Sequence, residues 1–165
     1  YLSNRDLSGA IIVSPDMGQA KSAARFAKNL NLPVTAGNKE RISDTEVRIS
    51  GLVGDQVKGH KRALIYDDEI ATGGSIYELS RVLIEEGVED ILVVCTHGVF
   101  TRGGLERLAS VPQISEIITT DTVYIPEEKR HPKLTVLSVA SVFARSILHN
   151  FSRESIGDLY VFGDD

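Results

Sequence analysis

Short apolar runs alternate along this chain with segments whose apolar residues recur at helical spacing. The apolar runs predict strands over residues 10–13, 32–35, 47–53, 63–66, 91–96, 114–119 and 134–139. The helical spacing predicts helices over residues 18–30, 74–86, 103–109 and 141–150. Two polar segments of mixed charge predict loops, a mobile one over residues 36–46 and a charged one over residues 126–132.

This alternation of strands and helices favours one particular class of fold. It predicts an α/β domain over residues 1–165, with a mostly parallel sheet flanked by helices on both faces. The carboxyl ends of parallel strands meet at one edge of the sheet, and ligands of such sheets bind there. We therefore expect the functional residues where the strands end.

Composition and charge narrow the classes of partner. The net charge is −5 and no basic run exceeds two residues, which argues against binding to nucleic acid or to an anionic membrane. No apolar run approaches the length of roughly 18 residues that a membrane span needs. The single cysteine, Cys95, excludes an internal disulfide framework, so the cytoplasm is the simplest compartment.

The segment "IYDDEIATGGSIYELSRVLIEEG" (residues 65–87) carries the clearest chemical signal. Thr72, Gly73, Gly74 and Ser75 lie between a predicted buried strand and a predicted helix. Glycines allow a tight turn and let backbone N–H groups approach an anion closely. The helix that follows adds its free N–H groups and the positive end of its dipole. The sequence therefore predicts a phosphate-binding loop that requires no lysine.

Two acids, Asp67 and Asp68, stand directly before this loop. Carboxylates beside a phosphate repel it unless they serve another part of the ligand. Ribose offers two adjacent hydroxyls that donate hydrogen bonds to carboxylates, so ribose 5-phosphate fits both halves of the segment. The alternative interpretation is a tight turn with solvated acids; the combination of buried strand, paired acids and TGGS favours the ligand site.

The motif "IYDDEIATGGS" resembles the ribose-phosphate-binding motif of type I phosphoribosyltransferase-like folds. Further stretches, taken in order, resemble the C-terminal half of ribose-phosphate pyrophosphokinase, and this resemblance covers nearly the whole chain. These stretches are "IIVSPDMGQAKSAARFAKNL" (residues 11–30), "NKER" (38–41), "VCTHGVF" (94–100), "ITTDTV" (118–123), "LSVASVFARSILHN" (137–150) and "ESIGDLY" (154–160).

The resemblance implies an enzyme that makes phosphoribosyl pyrophosphate from ribose 5-phosphate and ATP for nucleotide biosynthesis. It also implies a Mg²⁺ cofactor, a homo-oligomer and a longer two-domain protein of which residues 1–165 form the C-terminal domain. By this resemblance, Lys39 and Arg41 match the two catalytic cations of the family's flexible loop, and Asp16 matches an aspartate that binds the metal ion. The ribose 5-phosphate site takes Asp67, Asp68, Ala71, Thr72, Gly73, Gly74 and Ser75.

These residue types suit the implied chemistry. Diphosphoryl transfer requires positioning and positive charge around the phosphates, which a lysine and an arginine on a closing loop can supply. Without the resemblance, a solvated charged loop is the favoured interpretation of Lys39 and Arg41. Mg²⁺ requires oxygen ligands, and Asp16 follows a predicted strand. Asp16 is also a candidate helix N-cap before Gly18, and one carboxylate could fill both roles.

The chain departs from the family pattern in three ways. Ala71 stands where the family usually has an aspartate, giving ATGG, a form familiar from purine phosphoribosyltransferases. Gln19 replaces an expected glycine, and the N-terminal half, which supplies most of the ATP site, is absent. We therefore expect this chain to hold ribose 5-phosphate better than ATP, and to lack turnover alone.

Two alternative functions stay open from the sequence. One is a phosphoribosyltransferase that consumes phosphoribosyl pyrophosphate, which Ala71 favours, although no segment suggests a base-recognition hood. The other is a non-catalytic binding subunit associated with a pyrophosphokinase. Lys39 and Arg41 argue against the second alternative.

Overall fold

The computed structural model of the chain describes residues 1–41, 47–52 and 55–159, with side chains over 1–37 and 56–159. Its strands are β1 (Ala10–Ser14), β2 (Val34–Arg41), β3 (Val47–Leu52), β4 (Arg62–Ile70), β5 (Asp90–Gly98), β6 (Ile114–Thr120) and β7 (Leu134–Leu137). Its α-helices are α1 (Ala20–Leu30), α2 (Gly74–Glu85), α3 (Gly104–Ala109) and α4 (Ala140–Ser152).

The strands form one sheet in the order β3-β2-β1-β4-β5-β6-β7. All neighbouring strands pair in parallel except β2 and β3, which are antiparallel. The predicted α/β fold with a mostly parallel sheet is therefore confirmed. Because the parallel strands run the same way, their carboxyl ends gather at one edge, which is where the predicted site residues lie.

Alternate strand residues pack against helices on opposite faces of the sheet. One core joins α2 and α3 to the strand side chains of one face, including Ile11, Ile65 and Val93. The other core joins α1 to the intervening side chains, including Ile12, Leu64 and Leu92. Burial on both faces explains why these strands are continuous apolar runs rather than alternating ones.

The prediction of a loop over residues 36–46 is wrong for residues 36–41. Strand β2 continues to Arg41, and its backbone pairs with β3 at Lys39↔Ile49 and Arg41↔Val47. Backbone hydrogen bonds to an antiparallel neighbour sustain a strand whatever the polarity of its side chains, which the hydrophobic pattern does not register. Residues 42–46, the remainder of the predicted loop, lie outside the described residues.

Strand β4 extends further than the apolar run at residues 63–66 predicts. Its pairing with β5 continues through Asp67↔Cys95 to Ile70↔Gly98, so the two acids lie within the strand rather than after it. The start of the first helix also differs from the prediction. A 3₁₀ turn, Met17–Gln19, precedes α1, and the Asp16 carboxylate accepts a hydrogen bond from the N–H of Gln19 (3.1 Å).

Helix α4 exposes much of its apolar surface. Phe143 is 59 % exposed, Ile147 68 % and Phe151 86 %, and their spacing of four residues places them along one side of the helix. Helix α4 therefore contributes little to either core. Across the described residues, no helix combines the length and the apolarity that crossing a membrane requires.

Candidate functional site

A pocket of about 610 Å³ opens at the carboxyl edge of the sheet, beside the ends of β1 and β4. Residues 71–75 and several acidic residues line it together. The structure thus brings together eight of the ten residues predicted for the site. These are Asp16, Asp67, Asp68, Ala71, Thr72, Gly73, Gly74 and Ser75.

The loop at residues 71–75 has the backbone geometry of an anion site. Gly73 adopts φ 71°, a left-handed conformation that favours glycine, and directly precedes the first residue of α2. The first N–H groups of an α-helix lack acceptors within the helix, and the dipole of α2 places positive charge at the same end. The loop can therefore hold a phosphate through backbone groups.

Asp67 is the most perturbed acid of the pocket. It is half-buried, and burial raises the pKa of its carboxyl to about 7, helped by the neighbouring Asp68 and by the negative charge of Asp16. The N–H of Asp68 donates a hydrogen bond to Asp67 Oδ1 (2.9 Å), which acts in the opposite direction. Near neutral pH, the Asp67 carboxyl is therefore present both as the carboxylate, which only accepts hydrogen bonds, and as the protonated acid, which can also donate one.

Asp16 faces the same pocket from the end of β1. Its side chain caps the 3₁₀ turn, so the structural role considered for it is present. Within the parts of the chain that carry described side chains, no group of three His, Cys, Asp or Glu residues is arranged to hold a metal ion. A protein-only metal cage is therefore not found there.

Lys39 and Arg41 are placed only by their backbone. Both lie in β2, on the antiparallel ribbon with β3. Their side chains lie outside the described residues, so the predicted catalytic roles of these two cations stay predictions.

The sequence reasoning missed three residues around the pocket. Glu69 lines it beside Asp68 and is exposed; the run "DDE" was the available signal. Arg107 donates from Nη1 to the carbonyl oxygen of Thr72 (2.7 Å), although 35 positions separate them. Gly104 packs directly on the loop backbone. No local pattern connects α3 with the loop, so these last two contacts required the tertiary structure.

Comparison with known proteins gives the family. The family model described as the phosphoribosyl synthetase-associated domain matches residues 46–161. The chain belongs to this family. A protein of Streptomyces coelicolor named provisionally as a ribose-phosphate pyrophosphokinase is 43% identical over 94% of this chain and 48% of its own length. The chain thus spans about half the length of the curated relatives it matches, and the resemblance to ribose-phosphate pyrophosphokinase is confirmed.

Solved structures place this family member among known folds. The phosphoribosylpyrophosphate synthetase of Mycobacterium smegmatis matches with a TM-score of 0.77 and 36% identity, over 93% of this chain and 47% of that one. The orotate phosphoribosyltransferase of Aeropyrum pernix matches with a TM-score of 0.52 and 20% identity, over 93% of this chain and 69% of that one. The second likeness shows the fold alone, and together they confirm the predicted type I phosphoribosyltransferase-like fold.

Proposed function

We propose that the protein containing this chain transfers diphosphate from ATP to ribose 5-phosphate and so makes phosphoribosyl pyrophosphate for nucleotide biosynthesis. The observation that carries the proposal is the single pocket lined by Asp67, Asp68 and the phosphate loop at residues 71–75. The family membership and the relatives' names support the same reaction. We take the chain as one domain of a longer, cytoplasmic, self-associating enzyme.

Ribose 5-phosphate fits the pocket in one orientation. Its phosphate accepts hydrogen bonds from the backbone N–H groups of residues 71–75 and from the start of α2. Its ribose hydroxyls then lie toward Asp67 and Asp68, to which they donate. In the reverse orientation the acids would repel the phosphate. The charge pattern therefore favours the orientation in which the sugar lies against Asp67 and Asp68.

The reaction joins the ribose to the β-phosphoryl group of ATP. The oxygen of the ribose 1-hydroxyl bonds to the β-phosphorus, the bond from that phosphorus to the α,β-bridging oxygen breaks, AMP leaves and the hydroxyl proton is released. The protein's task is to align these groups and to stabilise negative charge. We assign the charge stabilisation to Lys39 and Arg41, and most of the ATP contacts to the remaining half of the protein.

Mg²⁺ is the cofactor that this donor set fits. Protein-bound Mg²⁺ commonly takes one or two carboxylates and completes its coordination with water and substrate phosphates. Asp16 and Asp67 line the pocket and lie close enough for the charge of Asp16 to raise the pKa of Asp67. Asp16 would hold the ion, beside the Asp67 carboxyl that faces the ribose, and the ion would supply positive charge to the diphosphoryl group.

A phosphoribosyltransferase that consumes phosphoribosyl pyrophosphate is the second candidate. Ala71 favours it, because this position of the loop carries no carboxylate. The same pocket would then bind the ribose phosphate of phosphoribosyl pyrophosphate, and a free base would replace diphosphate at the sugar.

Product analysis separates the candidates. The full-length native polypeptide is incubated with ATP, ribose 5-phosphate and Mg²⁺, and AMP is measured. We expect AMP with wild-type protein and its loss in Lys39→Ala. The absence of AMP from folded wild-type protein contradicts the proposal. Nucleotide formation from phosphoribosyl pyrophosphate and a free base would establish the second candidate, and inactivity in both assays would indicate a non-catalytic subunit.

Ligand binding is tested without turnover. Ribose 5-phosphate at roughly 100 times its Kd stabilises the folded chain by about 2.7 kcal/mol, which raises the melting temperature. A Cβ on Gly74 would lie 3.7 Å from its nearest neighbour, Thr72 Oγ1, so the Gly74→Trp side chain has space to enter the pocket. The shift should vanish in this variant and with ribose lacking the phosphate. An unchanged shift in Gly74→Trp would place the phosphate elsewhere.

A further inference from the structure

The carbonyl groups that begin the phosphate loop all face one neighbouring segment, residues 98–107, which we call the clamp segment. The oxygen of Ile70 accepts hydrogen bonds from the N–H groups of Val99 and Phe100 (both 3.0 Å). The oxygen of Thr72 accepts one from Arg107 Nη1 (2.7 Å). Two of three consecutive carbonyls are therefore held by hydrogen bonds to the clamp segment.

The carbonyl between them packs against the backbone of α3. A Cβ placed on Gly104 would lie 2.6 Å from the oxygen of Ala71, closer than real Cβ atoms approach. A Cβ on Gly73 would in turn lie 3.1 Å from the oxygen of Gly104. The loop and the clamp segment thus touch backbone to backbone, and glycine at position 104 makes this approach possible.

The direction of these carbonyls determines the direction of the amides. In a trans peptide unit the C=O and N–H bonds point to opposite sides, and the described residues contain no cis peptide. Turning the carbonyls of Ile70, Ala71 and Thr72 toward the clamp segment therefore turns the following N–H groups away from it.

These N–H groups belong to Ala71, Thr72 and Gly73, which line the pocket. Among the residues that the structure describes, they donate to no acceptor in another part of the protein. Successive N–H groups on one side of a turn form a concave anion site. The clamp segment thus holds the peptide units that carry these three N–H groups.

The clamp segment itself is held in an uncommon conformation. Phe100 has φ 45° and Arg102 has φ 52°, values in the left-handed region that side-chain-bearing residues adopt rarely. Such conformations persist where the surrounding structure imposes them, and they cluster at functional sites. The segment is therefore shaped by its contacts with β4 and the loop.

We infer that Arg107 and Gly104 are positioning residues for phosphate binding, acting through the backbone of residues 70–73. Neither belongs to the pocket lining, and the inference rests on the proposed ribose 5-phosphate site. Arg107 orients the Thr72–Gly73 peptide, and Gly104 admits the Ala71 carbonyl. The consequence is that removing the Arg107 guanidinium, which lies outside the pocket, lowers the affinity of the pocket for a phosphate anion.

The test compares Arg107→Ala with Arg107→Lys and with Arg81→Ala. Arg81 is an exposed arginine of α2 that pairs with Glu78 at 3.7 Å, so it controls for loss of a surface cation. Titration calorimetry measures affinity for ribose 5-phosphate and for inorganic phosphate. We expect Arg107→Ala to weaken both by up to about tenfold, because the Thr72 carbonyl loses its charged donor and the Gly73 N–H loses its fixed direction. Lysine should recover part of the loss, and Arg81→Ala should bind as wild type does.

An NMR signature separates positioning from simple stability. In the wild-type protein, phosphate should move the amide proton of Gly73 downfield; in Arg107→Ala this shift should shrink while the core methyl signals stay in place. Gly104→Ala should likewise weaken phosphate binding, with Gly157→Ala as the glycine control because its Cβ would meet only a Ser155 hydroxyl at 3.2 Å.

The outcomes distinguish this inference from the proposed function. Equal affinities and equal Gly73 shifts in wild type and Arg107→Ala would overturn the positioning role of Arg107. The proposed ribose 5-phosphate site would be unaffected by that result. A wild-type protein that binds neither ribose 5-phosphate nor phosphate would overturn both.

Discussion

At the scale of single residues, Asp67 shows how the fold changes a side chain's chemistry. The sequence places this acid beside a phosphate loop, and the structure half-buries it next to Asp68. Burial penalises the charged form, so the pKa rises from 3.8 to about 7. A carboxyl that is partly protonated at neutral pH repels an incoming phosphate less than a full anion would.

The raised pKa of Asp67 predicts a pH-dependent stability. Between about pH 4 and pH 7 the folded state retains a proton that the unfolded state has lost, so the free energy of unfolding falls as pH rises through this window. Asp67→Asn cannot ionise and lacks this fall. Urea unfolding at about pH 5, 6, 7 and 8 measures this difference. The free energy of unfolding of Asp67→Asn minus that of wild type should rise up to about pH 7 and stay constant above it.

Asp121 provides the control for this experiment. Hydrogen bonds from the Ser138 hydroxyl and the N–H of Val139 (2.8 Å) lower the pKa of its carboxyl. Its contribution to stability is therefore complete above its unfolded pKa of 3.8 and is lost at lower pH. Asp121→Asn should differ from wild type by a constant amount over the same pH range. Parallel curves for Asp67→Asn and wild type would contradict the raised pKa of Asp67.

At the scale of elements, α2 and α4 carry similar apolar patterns but different packing. The side chains of Ile76, Leu79 and Leu83 on α2 are buried in the core above the sheet. The corresponding stripe on α4, which includes Phe143 and Phe151, is exposed. Periodicity identifies an apolar face, and only the surrounding elements determine whether that face is covered.

This contrast predicts that truncating an apolar side chain lowers the free energy of unfolding much more on α2 than on α4. Leu79→Ala should lower the free energy of unfolding by about 2–5 kcal/mol, because it removes fully buried methyl groups and leaves a cavity. Phe151→Ala removes a larger side chain that is 86 % exposed, and should change the free energy of unfolding by less than about 0.5 kcal/mol. Chemical denaturation of the chain measures both; equal losses would show that α4 is packed.

At the scale of the whole molecule, the charge distribution opposes the proposed ligand. The chain carries a net charge of −5, and the pocket is lined by Asp16, Asp67, Asp68 and Glu69. Among the described side chains of its lining there is no lysine or arginine. In the proposed site, the phosphate would therefore be held by oriented backbone N–H groups, in surroundings that are otherwise negatively charged.

Salt dependence tests this arrangement. A phosphate held by exposed cations loses affinity as salt screens the attraction, whereas here salt also screens the repulsion from the acids. Raising NaCl from about 20 mM to about 200 mM should therefore change the affinity for ribose 5-phosphate by less than about twofold. A loss of about tenfold would show that cationic side chains hold the phosphate. Calorimetric titration with ribose 5-phosphate alone, without ATP, provides the measurement.

Much of the fold and the phosphate loop follows from local sequence. Apolar runs such as residues 63–66 form strands because they are buried on both faces, and Gly73 adopts the positive φ that its residue type permits. The extension of β2 to Arg41 could not be predicted, because hydrogen bonds from β3 sustain it rather than its own apolar residues.

The sequence by itself determined the order of strands and helices, the glycine loop and the acids beside it, since these depend on neighbours within a few positions. The tertiary structure alone decided the raised pKa of Asp67 and the contact of Arg107 with Thr72. Burial and long-range hydrogen bonds arise from residues that are distant in the chain and adjacent in space. That is why the glycine loop can be predicted from the sequence, while Arg107, which donates to the Thr72 carbonyl of that loop, lies 35 positions away.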